Sequence, residues 1–184
     1  MKRPHAYAAA ADADLLSFAA AGDRAAFDEI AIRHGPFALR VAARVLANSA
    51  AAEDVVQEAM VRAWARAGQF DARRASFTTW LYRIVLNLCI DHRRRKPPQA
   101  LPIDFDPVDP APGTSEALEA DQRRAALAAA LEHLPVRQRA AMTLVYDEGL
   151  SGAETARVMG LSAKAVERLL ARARAQLREC LQSD

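Results

Sequence analysis

The sequence predicts an all-α protein with two small helical domains joined by a proline-rich, acidic linker. Three observations support this fold class. The 184 residues include abundant alanine, only 7 glycines and 6% aromatic residues, a composition that favours helices. No segment alternates apolar and polar residues as a half-buried strand would. Six of the nine prolines lie between positions 97 and 112, where they interrupt helix formation and divide the chain in two.

Composition also excludes several classes of protein. No segment stays apolar for the roughly 18 residues of a membrane helix, and Asp12 and Asp14 interrupt the alanine-rich start. We therefore expect neither a membrane span nor a signal peptide, and a cytoplasmic location. Cys89 and Cys180 lie far apart and the four histidines do not cluster, so we expect no disulfide framework, no metal and no cofactor.

Turn and capping residues divide the N-terminal half into five helices. Asp, Asn and Ser side chains accept hydrogen bonds from free amides at a helix start, whereas Gly and Pro end helices. The signals in chain order are Asp12, Asp23, Gly35-Pro36, Asn48-Ser49, Gly68 and Ser76. We expect Gly35-Pro36 to end the second helix and begin the third, and the fifth helix to span about Phe77 to Arg95.

The fourth helix carries an acidic stripe with a tryptophan at its edge. Its members follow the spacing of one helix face and are Asp54, Gln57, Glu58, Val61 and Trp64. Tryptophan and matched charges are typical of protein-docking surfaces, although an ordinary solvated face fits as well. No nucleophile, phosphate-loop or dinucleotide motif accompanies the carboxylates, so we expect no catalytic residues.

The fifth helix is apolar over most of its circumference and ends in consecutive cations. One polar stripe interrupts the apolar surface, formed by Ser76, Thr79, Arg83, Asn87 and Arg94. Cations near a helix C-terminus are favoured by the macrodipole, but the run from Arg93 to Lys96 exceeds that need. Aromatic, amide and guanidinium groups beside a basic run indicate binding of single-stranded or melted DNA. For Phe77 and Trp80, core packing is the competing explanation.

The C-terminal domain carries the pattern of a helix-turn-helix. Ser151 and Glu154 form a capping box, and Gly160 supplies the left-handed turn between two helices. On the second helix, Val166 and Leu170 face the core, whereas small and basic residues face away: Lys164, Arg168, Ala171 and Arg172. Such a stripe suits the major groove of DNA; a solvated amphipathic helix is the alternative.

Three segments, in this order, resemble the extracytoplasmic-function (ECF) group of bacterial RNA polymerase sigma factors, in the sigma-70 family. Ala52-Glu53-Asp54-Val55-Val56-Gln57-Glu58 through Trp64 resembles the family's polymerase-docking helix. Ser76-Phe77-Thr78-Thr79-Trp80 through Arg93-Arg94-Arg95 resembles its promoter-melting helix. Residues 134–174, from Leu134-Pro135 through the helix-turn-helix, resemble its C-terminal DNA-binding domain. The resemblance implies sigma region 2 at residues 12–96, a linker at 97–116, sigma region 4 at 117–184 and a tail at 1–11.

The resemblance also implies a role for each group of residues. Asp54, Gln57, Glu58, Val61 and Trp64 would bind core RNA polymerase. The unwound minus-ten element, with one base flipped into a loop pocket, would be bound by Gln69, Phe70, Arg73, Arg74, Ser76, Thr79, Trp80, Arg83, Asn87, Arg93, Arg94 and Arg95. The minus thirty-five element would be read by Lys164, Glu167, Arg168, Ala171 and Arg172, with Glu167 standing where the family commonly has a cation.

The partners that the resemblance implies are core RNA polymerase, promoter DNA and an anti-sigma factor, often membrane-bound, which would hold the protein at the inner membrane. Two alternatives remain open. A stand-alone helix-turn-helix regulator would need a dimerisation surface, and no long heptad seam is present. A sigma-like decoy that only binds an anti-sigma factor would need no DNA contacts, which the arginine run disfavours.

Overall fold

The computed structural model describes residues 7–95 and 126–182, and all regular structure in these two ranges is helical, as the sequence predicted. The N-terminal range contains four α-helices: α1 (Asp12–Ala20), α2 (Arg24–Leu46), α3 (Ser49–Ala65) and α4 (Phe77–Arg95). A short 3-10 turn, Ala67–Gln69, follows α3. The predicted linker, residues 97–116, lies outside the described residues.

Polar side chains begin three of these helices, as the sequence predicted for Asp23 and Ser76. Asp23 Oδ1 accepts hydrogen bonds from two amides in the first turn of α2, at 3.1 and 3.4 Å. Ser76 Oγ accepts an amide of α4 at 3.2 Å, and Asn48 Oδ1 accepts one of α3 at 2.8 Å. The predicted cap at Asp12 is wrong, because Asp12 is the first residue of α1 and the N-cap is Ala11.

The break predicted at Gly35-Pro36 is also wrong, since α2 continues through both residues. A proline inside a helix removes one backbone hydrogen bond and costs about 3 kcal/mol. Packing on both sides offsets this cost, because Ile30 and Ala38 are inaccessible to solvent. Arg33 adds an anchor, since its guanidinium donates to three backbone carbonyls between residues 7 and 10, at 2.7 to 3.0 Å. Tertiary contacts therefore override the local breaker.

The C-terminal range contains the predicted helix-turn-helix. Its elements are a helix α5 seen at residues 126–132, α6 (Val136–Met142), a π-helical turn (Thr143–Asp147), α7 (Gly152–Met159) and α8 (Ala163–Gln182). Ser151 Oγ accepts the amide of Glu154 at 3.2 Å, and the Ser151 amide donates to the Glu154 carboxylate at 2.9 Å. Gly160 ends α7 at φ +65°, a conformation that disfavours side chains with a β carbon. Both local predictions are confirmed.

The main core lies between α2, α3 and α4 and continues into the C-terminal range. Val45 and Leu81 are buried in this core, and so are Ala140, Leu144 and Val158. Two smaller clusters join α5 and α6 to α8, and α6 and α7 to α8. The two predicted domains thus lie against each other, an arrangement that the sequence analysis did not predict.

Candidate nucleic-acid interface

One end of α4 and the loop before it enclose a cavity of about 360 Å³. The cavity, named here the α4 cavity, is lined by Gln69, Phe70, Asp71, Arg74, Ala75, Thr79, Trp80, Arg83 and Arg157. Six of these residues were predicted to bind the minus-ten element: Gln69, Phe70, Arg74, Thr79, Trp80 and Arg83. The structure therefore brings half of the predicted minus-ten set into one concave site with both aromatic and cationic walls.

Three aromatic rings support the wall of the α4 cavity. The ring centroid of Trp80 lies 5.7 Å from that of Phe70 and 5.7 Å from that of Phe77. Phe70 also meets Phe77 edge-on at 5.9 Å, the geometry that aromatic pairs prefer. Phe77 is only 3% exposed and serves the core, whereas Trp80 is half-buried and lines the cavity. Core packing thus explains Phe77 fully and Trp80 only in part.

Asp71 fixes the loop that precedes α4. Its carboxylate accepts hydrogen bonds from Arg73 Nε at 3.0 Å, from Arg73 Nη2 at 3.1 Å and from the Arg73 amide at 3.0 Å. These bonds, with the guanidinium charges of Arg73 and Arg74, lower the pKa of Asp71. The side chains of Arg73 and Arg74 are 91% and 88% exposed. The loop is therefore ordered by one carboxylate while it presents two cations to solvent.

The basic run at the end of α4 separates into two groups. Arg94 and Arg95 are exposed, and Arg94 Nη2 lies 3.4 Å from Asp91 Oδ1. Arg93 is half-buried, and its charge is close enough to Arg139 of α6 to lower the pKa of that residue. Asn87, two turns before Arg94 in α4, is exposed. Along α4, the exposed polar positions therefore extend from the α4 cavity to Arg95.

The acidic stripe of α3 is exposed, as its spacing predicted. Asp54, Gln57, Glu58 and Val61 all face solvent, and the apolar Val61 is 59% exposed. Trp64 is half-buried, and its ring meets Phe27 edge-on with centroids 5.0 Å apart. The opposite side of α3 is buried against α2 and α4. This surface lies outside the wall of the α4 cavity and forms a separate candidate interface.

The predicted recognition face of α8 points away from the core. Val166, Leu170, Ala173 and Leu177 are buried, as their spacing predicted. The opposite face is exposed and consists of Lys164, Glu167, Arg168, Ala171 and Arg172. An exposed helix face with basic and small residues, behind a formed helix-turn-helix, has the geometry required for the major groove.

Three residues that line the α4 cavity are absent from the predicted minus-ten set: Asp71, Ala75 and Arg157. Asp71 and Ala75 lie in the loop beside predicted residues, whereas Arg157 is distant in the sequence. Arg157 belongs to α7, in the other predicted domain, yet it lines the cavity together with Trp80 and Arg83. It is exposed and close to the C-terminal end of α7, where a basic residue needs no functional explanation. No local pattern could have indicated its position, which depends on how the domains pack together.

Other kinds of site find no support in the part of the chain that the structure describes. No group of three or more His, Cys, Asp or Glu side chains there could hold a metal ion. None of the helices within 7–95 and 126–182 has the length and apolar character needed to cross a membrane. Cys89 is buried, and burial raises the pKa of its thiol to about 12, so this thiol is not activated.

Comparison with known families agrees with this arrangement of interfaces. Residues 30–97 match the Sigma-70 region 2 family, and residues 116–177 match the Sigma-70, region 4 family. The chain belongs to the sigma-70 family of RNA polymerase sigma factors. It is 41% identical over 172 residues to the ECF RNA polymerase sigma factor SigM of Mycobacterium tuberculosis, covering 92% of this chain and 84% of SigM. This similarity places it in the ECF group.

A second relative has a solved structure. The RNA polymerase sigma factor CnrH of Cupriavidus metallidurans is 36% identical over 185 residues, covering 95% of this chain and 96% of CnrH. The structure of CnrH in complex with the cytosolic domain of CnrY resembles this one with a TM-score of 0.65 at 34% identity, covering 94% of this chain and 98% of that chain. The all-α architecture of the described residues is therefore shared with that structure.

Proposed function

We propose that this chain is an alternative sigma factor that directs core RNA polymerase to specific promoters and initiates transcription there. One observation carries the proposal: a single chain presents both a cavity suited to an unstacked base and a helix face suited to duplex DNA. A stand-alone helix-turn-helix regulator needs only the second feature. The sequence similarity to ECF sigma factors supports the same assignment.

The α4 cavity is proposed to hold the melted minus-ten element. Trp80 and Phe70 offer aromatic surface to a flipped base, while Gln69, Thr79 and Arg83 offer hydrogen bonds to its edges or to the backbone. Around the cavity, the exposed side chains of Arg73, Arg74, Ser76, Asn87, Arg94 and Arg95, with the half-buried Arg93, would contact the flanking strand. Stacking and phosphate contacts do not require a double helix, so the site suits DNA that has already opened.

The α3 stripe is proposed to bind core RNA polymerase. Its acidic side chains would pair with basic residues of the partner, and the exposed Val61 would supply apolar contact. Trp64 is held edge-on against Phe27, so little conformational entropy would be given up when it binds. The stripe is Asp54, Gln57, Glu58, Val61 and Trp64.

The exposed face of α8 is proposed to read the minus thirty-five element. Lys164, Arg168 and Arg172 supply cations, Ala171 permits close approach, and Glu167 can accept from a cytosine amino group. The proposed boundaries are residues 12–96 for sigma region 2, 97–116 for the linker and 117–184 for sigma region 4, after a tail at 1–11. Two weak DNA sites held by one polymerase bind with a high effective concentration.

Regulation by an anti-sigma factor is part of the proposal. CnrH, to which this chain is similar, is seen in complex with the cytosolic domain of CnrY. We expect this chain to act in the cytoplasm and to be held inactive there by an anti-sigma factor, which a membrane anchor could retain at the inner membrane.

Run-off transcription with purified core polymerase on genomic fragments tests the proposal. Arg168→Ala or Arg172→Ala should lower output about tenfold at promoters that need the upstream element, since one bidentate base contact contributes about 1–3 kcal/mol. Arg24→Ala, an exposed arginine of α2, is the matched control and should keep wild-type output. Circular dichroism shows whether each variant is folded.

Three outcomes contradict parts of this assignment. No promoter-specific transcript from the folded wild-type chain with core polymerase contradicts the sigma-factor proposal. Tight operator binding without polymerase supports the stand-alone regulator, and binding to an anti-sigma factor without any transcription supports the decoy. Equal output from wild type, Arg168→Ala and Arg172→Ala contradicts the assignment of the recognition helix.

A further inference from the structure

Ser76 differs from the other serines that the structure describes because two arginines closely precede it. Arg73 and Arg74 lie three and two positions before Ser76. The other serines within 7–95 and 126–182 are also exposed, but none has a lysine or arginine in the three positions before it: Ser17, Ser49, Ser151 and Ser162. Protein kinases select substrates by the charges that flank the hydroxyl group. A kinase with an acidic substrate groove would therefore distinguish Ser76 from these serines.

The hydroxyl group and both cations are accessible in the folded chain. Ser76 is exposed and lies one residue before α4, outside regular structure. The side chains of Arg73 and Arg74 are 91% and 88% exposed. Arg73 is paired with Asp71, but an ion pair in contact with water is weak. This pair would therefore not prevent an acidic groove from binding Arg73.

Ser76 also lies at the rim of the α4 cavity. Its Oγ is 3.0 Å from Thr79 Oγ1 and accepts the Thr79 amide at 3.2 Å, and Thr79 and Ala75 both line the cavity. A phosphoryl group on Ser76 Oγ would therefore reach the cavity lining. Its oxygens could accept the amides at the start of α4, where the helix macrodipole favours negative charge. We expect the fold to be kept.

The charge of a phosphoryl group would offset the charge of the cavity lining. Three arginines and one aspartate line the α4 cavity, so the formal charge of the lining is +2: Arg74, Arg83, Arg157 and Asp71. Phosphoserine carries a charge of about −1.5 to −2 at neutral pH. Phosphorylation of Ser76 would therefore neutralise the charge that attracts a DNA strand, and it would place a dianion beside the path of that strand.

We propose that Ser76 is the substrate of an arginine-directed serine/threonine kinase, and that its phosphorylation prevents the α4 cavity from binding melted DNA. The phosphoryl donor is ATP. A bond forms between Ser76 Oγ and the γ-phosphorus, the bond from that phosphorus to the β,γ-bridging oxygen breaks, and ADP leaves. The hydroxyl proton passes to a base of the kinase. The inhibitory effect rests on the proposed function, because it has meaning only if the α4 cavity binds promoter DNA.

Labelling with ATP that carries a radioactive γ-phosphate tests the site. The folded full-length chain is incubated with the cAMP-dependent protein kinase, an arginine-directed enzyme. Wild type should take up a single phosphoryl group, and Ser76→Ala none. Arg73→Ala combined with Arg74→Ala should slow labelling by about tenfold or more, whereas Ser17→Ala, the matched control, should be labelled like wild type. Labelling of Ser76→Ala at the wild-type level overturns the assignment of the site.

Phosphopeptide mass spectrometry tests whether the site is used in cells. The full chain is isolated from the cells that make it, during growth, in stationary phase and after oxidative or envelope stress. A phosphoryl group should be found on Ser76 in part of the chain and should be absent from Ser17. The absence of phosphate from Ser76 under every condition sampled overturns the proposal.

Holoenzyme binding to DNA whose minus-ten segment is already single-stranded tests the inhibitory effect. Phosphorylated wild type should bind about tenfold more weakly than untreated wild type, or weaker still, because the cavity lining loses its positive charge. The slope of log affinity against log salt concentration should become shallower by about 0.7 for each strand phosphate that is no longer neutralised. Kinase treatment of Ser76→Ala should leave the affinity of that variant unchanged.

Circular dichroism shows whether the phosphorylated chain and the Ser76→Ala variant remain folded. Equal affinity of folded wild type with and without the phosphoryl group overturns the inhibitory effect. A wild type that is phosphorylated on Ser76 but never supports promoter-specific transcription contradicts the proposed function instead, so the two failures are distinguishable.

Discussion

Replacing Trp80 by leucine should weaken binding to melted DNA without unfolding the protein. Trp80 lines the α4 cavity and its ring lies 5.7 Å from both Phe70 and Phe77. Stacking of one base on an aromatic side chain contributes about 1–3 kcal/mol. At about 1.4 kcal/mol for each factor of ten, Trp80→Leu should weaken binding by about 5- to 150-fold. Leucine still packs on both phenylalanines, so the decrease in folding stability should be modest.

The assay is binding of holoenzyme to a fork-shaped DNA whose minus-ten segment is already single-stranded. Such DNA removes the cost of melting, so a defect that persists reports the stacking itself. Phe77→Leu is the matched control: Phe77 is 3% exposed and does not line the α4 cavity. It should lower thermal stability and leave the affinity of the folded protein within twofold. Wild-type affinity of a folded Trp80→Leu holoenzyme would refute the stacking role.

Two further predictions concern charge and thiol chemistry. The double variant Arg94→Gln, Arg95→Gln should make promoter affinity depend less steeply on salt. The slope of log affinity against log salt concentration should become shallower by about 0.7–0.9 for each phosphate that is no longer neutralised. An unchanged slope argues against phosphate binding by Arg94 and Arg95. Burial raises the pKa of Cys89 from 9.0 to about 12. The folded state therefore holds this proton more tightly than the unfolded state, and the resulting stability is fully present below about pH 9 and is lost as pH rises toward 12. At pH 8 a thiol reagent should modify Cys180 first and Cys89 only on unfolding; equal rates would contradict the burial of Cys89.

Features that depend on one or two turns of helix were predictable from the sequence. The capping box at Ser151 and the left-handed turn at Gly160 are formed as expected, because each depends on residues within a few positions. The buried face of α8 follows from apolar spacing alone, so its exposed face follows too. For the same reason the acidic stripe on α3 was predicted from its i, i+3, i+4, i+7 spacing.

Features that depend on distant residues were not predictable. Pro36 is a local helix breaker, yet packing on both sides and the anchoring of Arg33 keep α2 continuous. Tyr82 and Glu148 are 66 positions apart and are joined by a hydrogen bond. Nothing in the sequence next to either residue indicates this contact. Arg139 is 2% exposed, although arginine is almost never fully buried without a partner, and the charge of Arg93 in the other domain is close enough to affect it. Packing between the two domains carries Arg157 into the α4 cavity.

This chain should become promoter-selective when it is bound to core RNA polymerase. The most direct measurement mixes the purified, folded chain with core polymerase, isolates any complex by size exclusion and assays transcription from the eluted fractions. We expect co-elution and promoter-specific transcripts in those fractions, and we expect both to disappear when Glu58→Lys and Val61→Asp are combined on α3. A chain that is folded and free of any inhibitor, yet elutes apart from polymerase and leaves the transcripts made by the polymerase unchanged, would contradict a role as a sigma factor.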